Sequence, residues 1–191
     1  MVEHMRRVVV IGCSGAGKTT LARRLAAVLG VAHIELDAIY HQRGWKPADN
    51  ETFQKTLLAR MAASPRGWVT CGNYNTQTGD VHLARADTLA WLDLPRRTVM
   101  WRVITRTLWR MITRKELWNG NREPLSNVCR WDPERNVIRW AWVKWPHYRK
   151  RNTRRLTDGT WAHLDVRRLT STAEVDAFVD GVGMAAAGQP H

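Results

Sequence analysis

Apolar residues recur along the chain with two periods, one typical of buried strands and one typical of helices. Residues 6–11 (RRVVVI) form a nearly unbroken β-branched run, as expected of a buried parallel strand. The segment from Gly17 to Gly30 has apolar residues at helical spacing and ends on a glycine, which predicts the first helix. Further strands are predicted at residues 32–36, 67–71 and 87–94 and within 160–169, with another helix at 51–63.

Strands that alternate with helices at this spacing predict an α/β fold, a three-layer sandwich with a parallel sheet covered on both faces. The stretch of residues 96–152 breaks the alternation. It is helical in pattern, rich in Trp and Arg, and punctuated by Pro124, Pro133 and Pro146, so we predict a lid insertion there. A last helix is predicted from a capping box at Ser171 and Glu174 to about Gly181. The expected organisation is one domain over residues 1–182 and a disordered tail over residues 183–191.

The segment between the first strand and the first helix carries the strongest chemical motif. It reads GCSGAGKT and satisfies GxxxxGK[ST], the pattern of a phosphate-binding loop. Its glycines let backbone N–H groups point at phosphate oxygens, and the following helix adds its positive dipole end. We predict that it binds ATP with Mg²⁺, that Lys18 reaches the β- and γ-phosphates, and that the Thr19 hydroxyl ligates the metal. The predicted nucleotide-binding residues are Gly12, Cys13, Ser14, Gly15, Ala16, Gly17, Lys18, Thr19 and Thr20.

Cys13 lies among the amides of this loop, and two interpretations of it stay open. The field of the amides would lower the thiol pKa and make Cys13 reactive, or the residue is a small filler without a chemical role.

A phosphotransferase also needs a carboxylate near the metal or the acceptor hydroxyl. Asp37 directly follows the second strand, so we predict that it lies beside the phosphate loop as a catalytic and metal-binding residue, with a surface or helix-capping aspartate as the alternative. Asp93, near the end of the fourth strand, is the second choice and is expected to be structural. The third strand ends at Cys71, where many phosphate-loop enzymes have an Asp.

The acceptor substrate is expected at two loops that follow strands. Gly72, Asn73 and Tyr74 suit a tight turn that faces the acceptor, although simple turn chemistry explains them equally well. The loop of residues 37–45 is aromatic and polar, and its Tyr40, His41 and Trp45 would stack on a ring or cover the core. The predicted acceptor-binding residues are Tyr40, Trp45, Gly72, Asn73 and Tyr74.

Four arginines in the lid region recur every fourth residue, at positions 102, 106, 110 and 114. On a helix they form one stripe, and like charges at that spacing cost about 0.2–0.5 kcal/mol per pair unless an anion compensates. A triphosphate under a closing lid is one such anion, and a nucleic-acid backbone is another. A solvated basic face is the third possibility.

The chain has 191 residues and a formal net charge of +13, which favours polyanionic partners. Trp131, Trp140, Trp142 and Trp145 lie among basic residues that include Arg130, Arg135 and Arg139. Such a region suits single-stranded nucleic acid, a membrane surface or, as we favour, the core of the lid. The three cysteines, Cys13, Cys71 and Cys129, have no CxxC spacing and are expected to be free thiols. We expect no transmembrane segment and no secretory signal, and hence a cytoplasmic protein.

Together with the phosphate loop, four short strings give the chain a family resemblance: LD at 36–37, GNY at 72–74, WLDLP at 91–95 and LWNGN at 117–121. The chain resembles the small adenylate-kinase-like bacterial proteins often described as DNA topology modulation proteins, over roughly residues 6–179. This resemblance implies a nucleoside-monophosphate-kinase-like fold with five parallel strands in the order 2-3-1-4-5. It also implies a lid between strands four and five.

By position, Asp37 resembles the acidic residue that shikimate and gluconate kinases use after strand two. Arg106 and Arg110 resemble the lid arginines, and Arg114 and Arg122 are their neighbours. The chain departs from the pattern at Cys71, and it lacks the Gly-Phe-Pro-Arg string with which adenylate kinases hold an acceptor nucleotide.

Three functions follow from these features. The first is an ATP-dependent phosphotransferase on an unidentified small molecule or nucleotide, with Asp37 orienting the acceptor and Arg106 and Arg110 closing over the γ-phosphate. The second is a nucleic-acid-associated ATPase or regulator, which the charge and the Trp/Arg region favour. The third is a nucleotide-binding protein without chemistry, which only the missing Asp at position 71 favours.

Overall fold

A computed structural model describes residues 5–78, 80–122 and 136–187. Their centre is a five-stranded parallel sheet in the order β2-β3-β1-β4-β5, as predicted. The strands are β1 (Arg7–Gly12), β2 (Ala32–Glu35), β3 (Trp68–Cys71), β4 (Thr88–Leu92) and β5 (Asp165–Leu169). Glu35 of β2 is paired in register with Cys71 of β3, and Gly12 of β1 with Leu92 of β4. The carboxyl ends of these four strands therefore form one edge of the sheet.

Seven helices in the described residues surround or join the strands. They are α1 (Lys18–Leu29), α2 (Leu36–Tyr40), α3 (Asn50–Ala62), α4 (Asn75–Thr78), α5 (Arg96–Thr113), α6 (Val137–Thr157) and α7 (Thr172–Ala187). Single 3₁₀ turns occupy Arg43–Trp45, Leu83–Arg85 and Trp118–Gly120. None of these helices combines the length and the hydropathy that a membrane crossing requires.

The two faces of the sheet support two separate hydrophobic cores. Val8 and Val10 of β1 point into one core, which contains residues of α1, α5 and α7. Val9 and Ile11 point to the opposite side, where they join Phe53 and other residues of α2 and α3. This alternation follows from the period of two along a strand, and it explains why β1 is apolar at every position from Val8 to Ile11.

The last helix begins as predicted but ends later. The Ser171 hydroxyl accepts a hydrogen bond from the Glu174 N–H (3.1 Å), and the Glu174 carboxylate accepts one from the Thr170 N–H (2.8 Å). The helix then continues to Ala187, so the prediction of disorder is wrong for residues 183–187; residues 188–191 lie outside the described part. The stretch GMAAA is a good helix former once a packed helix precedes it.

The predicted lid lies between β4 and β5 and, in the described residues, consists of α5, the turn Trp118–Gly120 and α6. Pro146 does not punctuate it as predicted, because it lies inside α6 with its side chain exposed; α6 ends at Thr157, beyond the predicted limit of residue 152. Ala141 of α6 is fully buried against the sheet domain. Pro124, Cys129, Arg130, Trp131, Pro133 and Arg135, which the sequence analysis named, lie outside the described residues.

Candidate active site

The phosphate loop connects β1 to α1 at the carboxyl edge of the sheet. Gly17 caps α1 with a positive φ of 98°, and Gly15 has a φ of 86°. A Cβ on Gly15 would lie 2.7 Å from the Val99 carbonyl oxygen of α5, so only glycine fits where the loop meets this helix. Ser14 and Ala16 belong to the same loop, in which the Ala16 N–H donates to the Cys13 carbonyl over 3.0 Å. The loop thus lies at the N-terminus of α1, where the positive end of the helix dipole would favour an anion.

Lys18 lies in the first turn of α1 and folds back over this loop. Its ammonium group donates hydrogen bonds to the Gly12 carbonyl (2.9 Å) and the Cys13 carbonyl (3.2 Å). Burial lowers the pKa of Lys18, and the negative charge of Asp37 opposes that shift. The ammonium is thus held inside the loop. A bound phosphate group would replace the two carbonyl oxygens as its hydrogen-bond acceptor. The Thr20 side chain, two positions after Lys18, is exposed.

Thr19 lies next to a carboxylate that sequence reasoning did not identify. Its hydroxyl donates a hydrogen bond to Glu35, the last residue of β2, over 3.1 Å. The Cys71 thiol is 3.9 Å from the same hydroxyl and 3.4 Å from His33 Nε2. Burial raises the pKa of Cys71 to about 12, so the residue at the expected Asp position is a neutral thiol. Glu35 therefore provides the negative charge that Cys71 lacks.

Asp37 lies in the first turn of α2, at the same edge of the sheet. It accepts a hydrogen bond of 2.5 Å from the Tyr74 hydroxyl, and His41 Nε2 lies 3.3 Å from that hydroxyl. Burial and the Asp37 charge raise the pKa of Tyr74, and burial lowers that of His41, so a protonated phenol and a neutral imidazole accompany the carboxylate. Tyr74 was predicted as an acceptor-binding residue, and its bond to Asp37 joins two predicted sites into one.

Asn73 contacts the phosphate loop rather than an open acceptor surface. Its side-chain amide donates to the Gly12 carbonyl (2.7 Å), and its side-chain oxygen accepts from the Gly12 N–H (3.3 Å). The neighbouring Gly72 is required by close packing, because a Cβ there would lie 2.9 Å from the Leu36 Cβ. The turn after β3 thus fixes the start of the phosphate loop to the start of α2.

The aromatic loop after α2 is covered by the turn Trp118–Gly120. Trp118 stacks on His41 with ring centroids 5.6 Å apart, and the Trp45 ring lies edge-on to His41 at 5.2 Å. The Asn119 amide donates to the Ala38 and His41 carbonyls, and the Asn121 amide donates to the Gln42 carbonyl. Tyr40 packs on Tyr74 at 4.7 Å. The LWNGN segment is therefore the part of the lid that closes on the predicted acceptor loop.

Of the five arginines of α5, those at positions 102, 106 and 110 are partly buried, whereas Arg97 is exposed. Arg102 donates to the Ala16 carbonyl (3.3 Å) and to the Thr172 hydroxyl (3.0 Å), so it braces the phosphate loop from outside. Arg106 lies close enough to Lys18 for its charge to add to the burial that lowers the pKa of Lys18. Arg110 follows one turn later, on the face of the buried Val103 and Thr107.

Two predicted lid residues differ from this arrangement. Arg114 does not continue the stripe, because it is the C-terminal cap of α5, with a φ of 47° and an exposed side chain. Arg122 lies near Trp45, whose indole N–H donates to the Arg122 carbonyl (3.1 Å), while its guanidinium faces Glu116 at 3.8 Å. The side chains of Arg114 and Arg122 are thus directed away from the phosphate loop in this structure.

The two remaining candidates have structural surroundings. Asp93, expected to be structural, is buried and bound by Arg168 and Arg149. The Cys13 thiol lies 3.6 Å from the Ala141 carbonyl of α6, and burial raises its pKa. This burial, which the nearby Lys18 charge opposes, favours the interpretation of Cys13 as a small filler over that of a reactive thiol.

Comparison with known proteins identifies the class of this site. A family model described as "AAA domain" matches residues 8–116, more than half of the chain. Short segments also match two curated proteins, cytidylate kinase of Oleidesulfovibrio alaskensis and shikimate kinase of Mycobacterium avium. The first is 46% identical over 46 residues, which is 24% of this chain and 20% of the relative; the second is 46% identical over 41 residues, or 22% and 23%. The matches thus span about a fifth of each relative.

Two solved structures share the fold over nearly the whole chain. A shikimate kinase from Bacteroides thetaiotaomicron has a TM-score of 0.55 at 13% identity, covering 96% of this chain and 99% of that one. A shikimate kinase from Acinetobacter baumannii in complex with shikimate has a TM-score of 0.51 at 16% identity, covering 99% and 97%. These likenesses support the phosphate-loop kinase-like fold. They lend no support to the narrower resemblance to DNA topology modulation proteins.

Proposed function

Because the chain belongs to the AAA domain family and folds like a phosphate-loop kinase, we propose that it is an ATP-dependent phosphotransferase for a small-molecule acceptor. The observation that carries this proposal is the convergence of Lys18 and Asp37. Asn73 donates to the Gly12 carbonyl of the phosphate loop (2.7 Å), and the adjacent Tyr74 donates to Asp37 (2.5 Å). The charge of Asp37 also acts on the Lys18 ammonium, which supports one site for the phosphate-binding and acceptor-orienting groups. A protein that only binds a nucleotide and catalyses no reaction would not need the acceptor-orienting carboxylate of Asp37.

Each residue of the site has a role that its position supports. Lys18 and the loop amides bind the phosphate chain, and Arg106 and Arg110 neutralise charge on the transferring group from the lid side. Asp37 accepts the proton of the acceptor hydroxyl as that oxygen bonds to the γ-phosphorus and the bond to the β-phosphate oxygen breaks. Tyr74, by donating to Asp37, holds the carboxylate in one orientation.

The residues around Thr19 fit a magnesium ion that is shared with the nucleotide. The Thr19 hydroxyl and the Glu35 carboxylate are hard oxygen donors, and Mg²⁺ is commonly held by one or two carboxylates plus substrate phosphates. The described residues contain no group of three or more His, Cys, Asp and Glu side chains that could hold a metal ion by themselves. When bound, the ion supplies charge compensation for the phosphates; Thr19 and Glu35, with Asp37 close by, are the residues that would hold it.

ATP consumption by the purified protein with Mg²⁺ tests the proposal. The acceptor panel contains shikimate, cytidine monophosphate, other nucleoside monophosphates, sugar acids and aminoglycosides, and Lys18→Ala provides the blank. One acceptor that raises turnover well above the blank, with a phosphorylated product, would establish the kinase. The proposal fails if no acceptor raises turnover and the only effect of Lys18→Ala is a loss of ATP binding.

The role of Asp37 has a separate test. Asp37→Asn should lower turnover with that acceptor by about 100-fold or more, the range expected for loss of a positioned base. ATP binding, measured by calorimetry, should change little. Asp176→Asn, which removes an exposed carboxylate of α7, is the matched control and should keep full turnover. Unchanged turnover of Asp37→Asn with normal ATP binding would show that the role is assigned wrongly.

A nucleic-acid-associated ATPase is the second candidate, and the basic lid helices are the observation that favours it. The same assay includes single-stranded DNA without any small acceptor. Stimulation by DNA, with an affinity that falls steeply as salt rises, would favour this candidate over the kinase.

A further inference from the structure

The lid helix α5 has a buried side, which contains Val99 and Val103, and it also has large apolar residues on its exposed side, where an ordinary surface helix has polar ones. Its arginines at 102, 106 and 110 lie on or toward the protein side, whereas four large apolar residues point outward. Trp101 is 70% exposed and Ile112 is 82% exposed, and Leu108 and Trp109 are also exposed. Because positions 101, 108 and 112 recur at helical spacing, they form one continuous stripe, which we call the outer face of α5. Scattered single apolar residues need no explanation, but a contiguous stripe does.

The surroundings of the outer face are strongly positive. α5 contains five basic residues, α6 contains seven, and neither helix contains an acidic residue. The two lid helices therefore provide nearly all of the formal net charge of +13. Arg97 is exposed on the outer face, one turn before Trp101, and the Lys115 ammonium lies 4.9 Å from the centre of the Trp109 ring.

The neighbouring helix α6 has two exposed apolar residues of its own near the start of α5. Trp142 and Val143 are both exposed, and the Arg96 guanidinium lies 3.4 Å over the Trp142 ring. The same guanidinium donates a hydrogen bond to the Trp142 carbonyl. Apolar side chains and cations are thus interleaved on both lid helices.

This chemistry distinguishes among three occupants. A second copy of the chain would bring an equally basic lid against this one, and like charges would oppose its docking. Single-stranded nucleic acid would use the cations and the tryptophans, but it offers nothing apolar for Leu108, Ile112 and Val143. An anionic membrane surface uses all three kinds of side chain, because aliphatic residues enter the acyl boundary, tryptophans lie at the headgroup level and cations meet the lipid phosphates.

We propose that the outer face of α5, extended by Trp142 and Val143, docks the protein on an anionic membrane surface. The arginines that face the phosphate loop lie on the opposite side of the same helix, so they stay available to the nucleotide when the outer face is covered. Docking is therefore compatible with activity at the site beneath the lid. It does not depend on the identity of the acceptor or on the kinase proposal.

Flotation with phosphatidylcholine vesicles, with and without phosphatidylglycerol, tests the proposal on the full chain. The wild type should float with the anionic vesicles and much less with the neutral ones, and added salt should weaken the binding. The double variant Leu108→Gln/Ile112→Gln removes two aliphatic side chains from the outer face. It should lower the partition coefficient by about tenfold or more, since each buried aliphatic side chain contributes substantially to transfer.

Met184→Gln is the matched control, because Met184 is a similarly exposed apolar residue, 72% exposed, but lies on α7 away from the lid. It should bind vesicles like the wild type. Normal ATP binding by the double variant would show that it is folded. A folded double variant that binds anionic vesicles as tightly as the wild type would overturn the proposal. A wild type that does not bind vesicles would also overturn the proposal, as would one that binds a single-stranded oligonucleotide instead of vesicles.

Discussion

At the scale of single residues, the hydrogen bond between Tyr74 and Asp37 is the contact on which the candidate chemistry depends most. A bond to a charged group contributes about 1.5–3 kcal/mol, more than most neutral bonds. The bond is 2.5 Å long, and a neutral His41 lies beside the Tyr74 hydroxyl. One carboxylate oxygen of Asp37 is therefore engaged by Tyr74, and the other oxygen remains for the acceptor. The carboxylate is thus positioned before any substrate arrives.

Tyr74→Phe removes this bond without changing the size of the ring. We expect turnover with the acceptor found in the screen to fall by about tenfold, because Asp37 loses the donor that orients it. The affinity for ATP should stay the same, since the Tyr74 hydroxyl, among the described residues, bonds to Asp37 and lies beside His41 rather than at the phosphate loop. Steady-state kinetics and calorimetry measure the two quantities.

Tyr40→Phe is the comparison variant, because it removes a hydroxyl from the adjacent ring of the same aromatic cluster. It should cost much less turnover. Equal losses from both substitutions would show that general packing, and not the bond to Asp37, accounts for the effect.

His82 is a second residue with a measurable consequence. It is fully buried, and neither ring nitrogen has a hydrogen-bond partner among the described residues. Burial lowers the pKa of His82 to about 4, from about 6.5 in an unfolded chain. The unfolded state therefore binds a proton that the folded state excludes. The resulting stability is fully present above pH 6.5 and is lost as the pH falls toward 4, by about 3 kcal/mol at most.

Urea unfolding of the wild type and of His82→Leu at a series of pH values should show this difference. The variant should lose less stability than the wild type between neutral pH and about pH 4.5, within the range set by the shift. His147→Leu, at an exposed position of α6, should leave the pH profile like that of the wild type. Parallel profiles for the wild type and His82→Leu would contradict the expected proton linkage.

The sequence predicts some residues of the site well because their signal is local. The phosphate loop and Lys18 follow from spacing within eight consecutive residues, and the loop forms as expected between β1 and α1. Glu35 was missed because its role depends on the register between β2 and β3, which sets it opposite Cys71. Glu35 nevertheless ends the strand that Asp37 follows, two positions before it. The reasoning that selected Asp37 from its place after β2 therefore applies to Glu35 as well. The Tyr74–Asp37 bond joins two separate strand ends, which spacing along the chain does not reveal.

At the scale of elements, the sequence correctly separates strands from helices, but it does not orient α5. The arginine stripe left a lid over an anion and a solvated basic face both open. The structure leaves Leu108 and Ile112 exposed and places Arg106 near Lys18, which favours the lid over an anion. Periodicity identifies which residues share a face; it does not say which face is buried when a helix covers an anion site.

The turn Trp118–Gly120 is the element that links the lid to the acceptor loop. Asn119 and Asn121 hold that loop through three side-chain donations to backbone carbonyls. Asn119→Ala/Asn121→Ala should release it, because each such bond contributes about 0.5–1.5 kcal/mol. Trypsin cleavage after the exposed Arg43 should then become at least about tenfold faster, as followed by mass spectrometry.

Gln54→Ala provides the comparison for this element, since it removes a side-chain bond to the Gln77 carbonyl from a part of α3 remote from the turn. Cleavage after Arg43 should keep its wild-type rate in this variant. If the asparagine variant is also cleaved at the wild-type rate, the turn does not restrain the acceptor loop.

At the scale of the whole molecule, an ion-pair network around Asp93 helps to attach the lid to the sheet domain. Asp93, at the carboxyl end of β4, receives two hydrogen bonds from Arg168 of β5 and lies 3.3 Å from Arg149 of α6. Arg168 also lies over the Trp91 ring and Arg149 over the Trp145 ring, whose N–H donates to the Leu94 carbonyl. One carboxylate thus ties two strands to a helix that carries seven positive charges.

Asp93→Asn should therefore destabilise the protein more than the loss of an ordinary ion pair would. The Asp93 side chain is only 3% exposed, and its removal leaves two arginines without their counter-charge. Because those guanidinium groups are partly exposed, we expect about 2 kcal/mol of unfolding free energy to be lost, less than for a fully buried pair. Asp176→Asn breaks a pair whose aspartate is 51% exposed, and it should cost less than about 1 kcal/mol in the same urea titrations. Equal costs would show that the lid is held by the packing of α6 alone, and that its positive charge needs no compensation at Asp93.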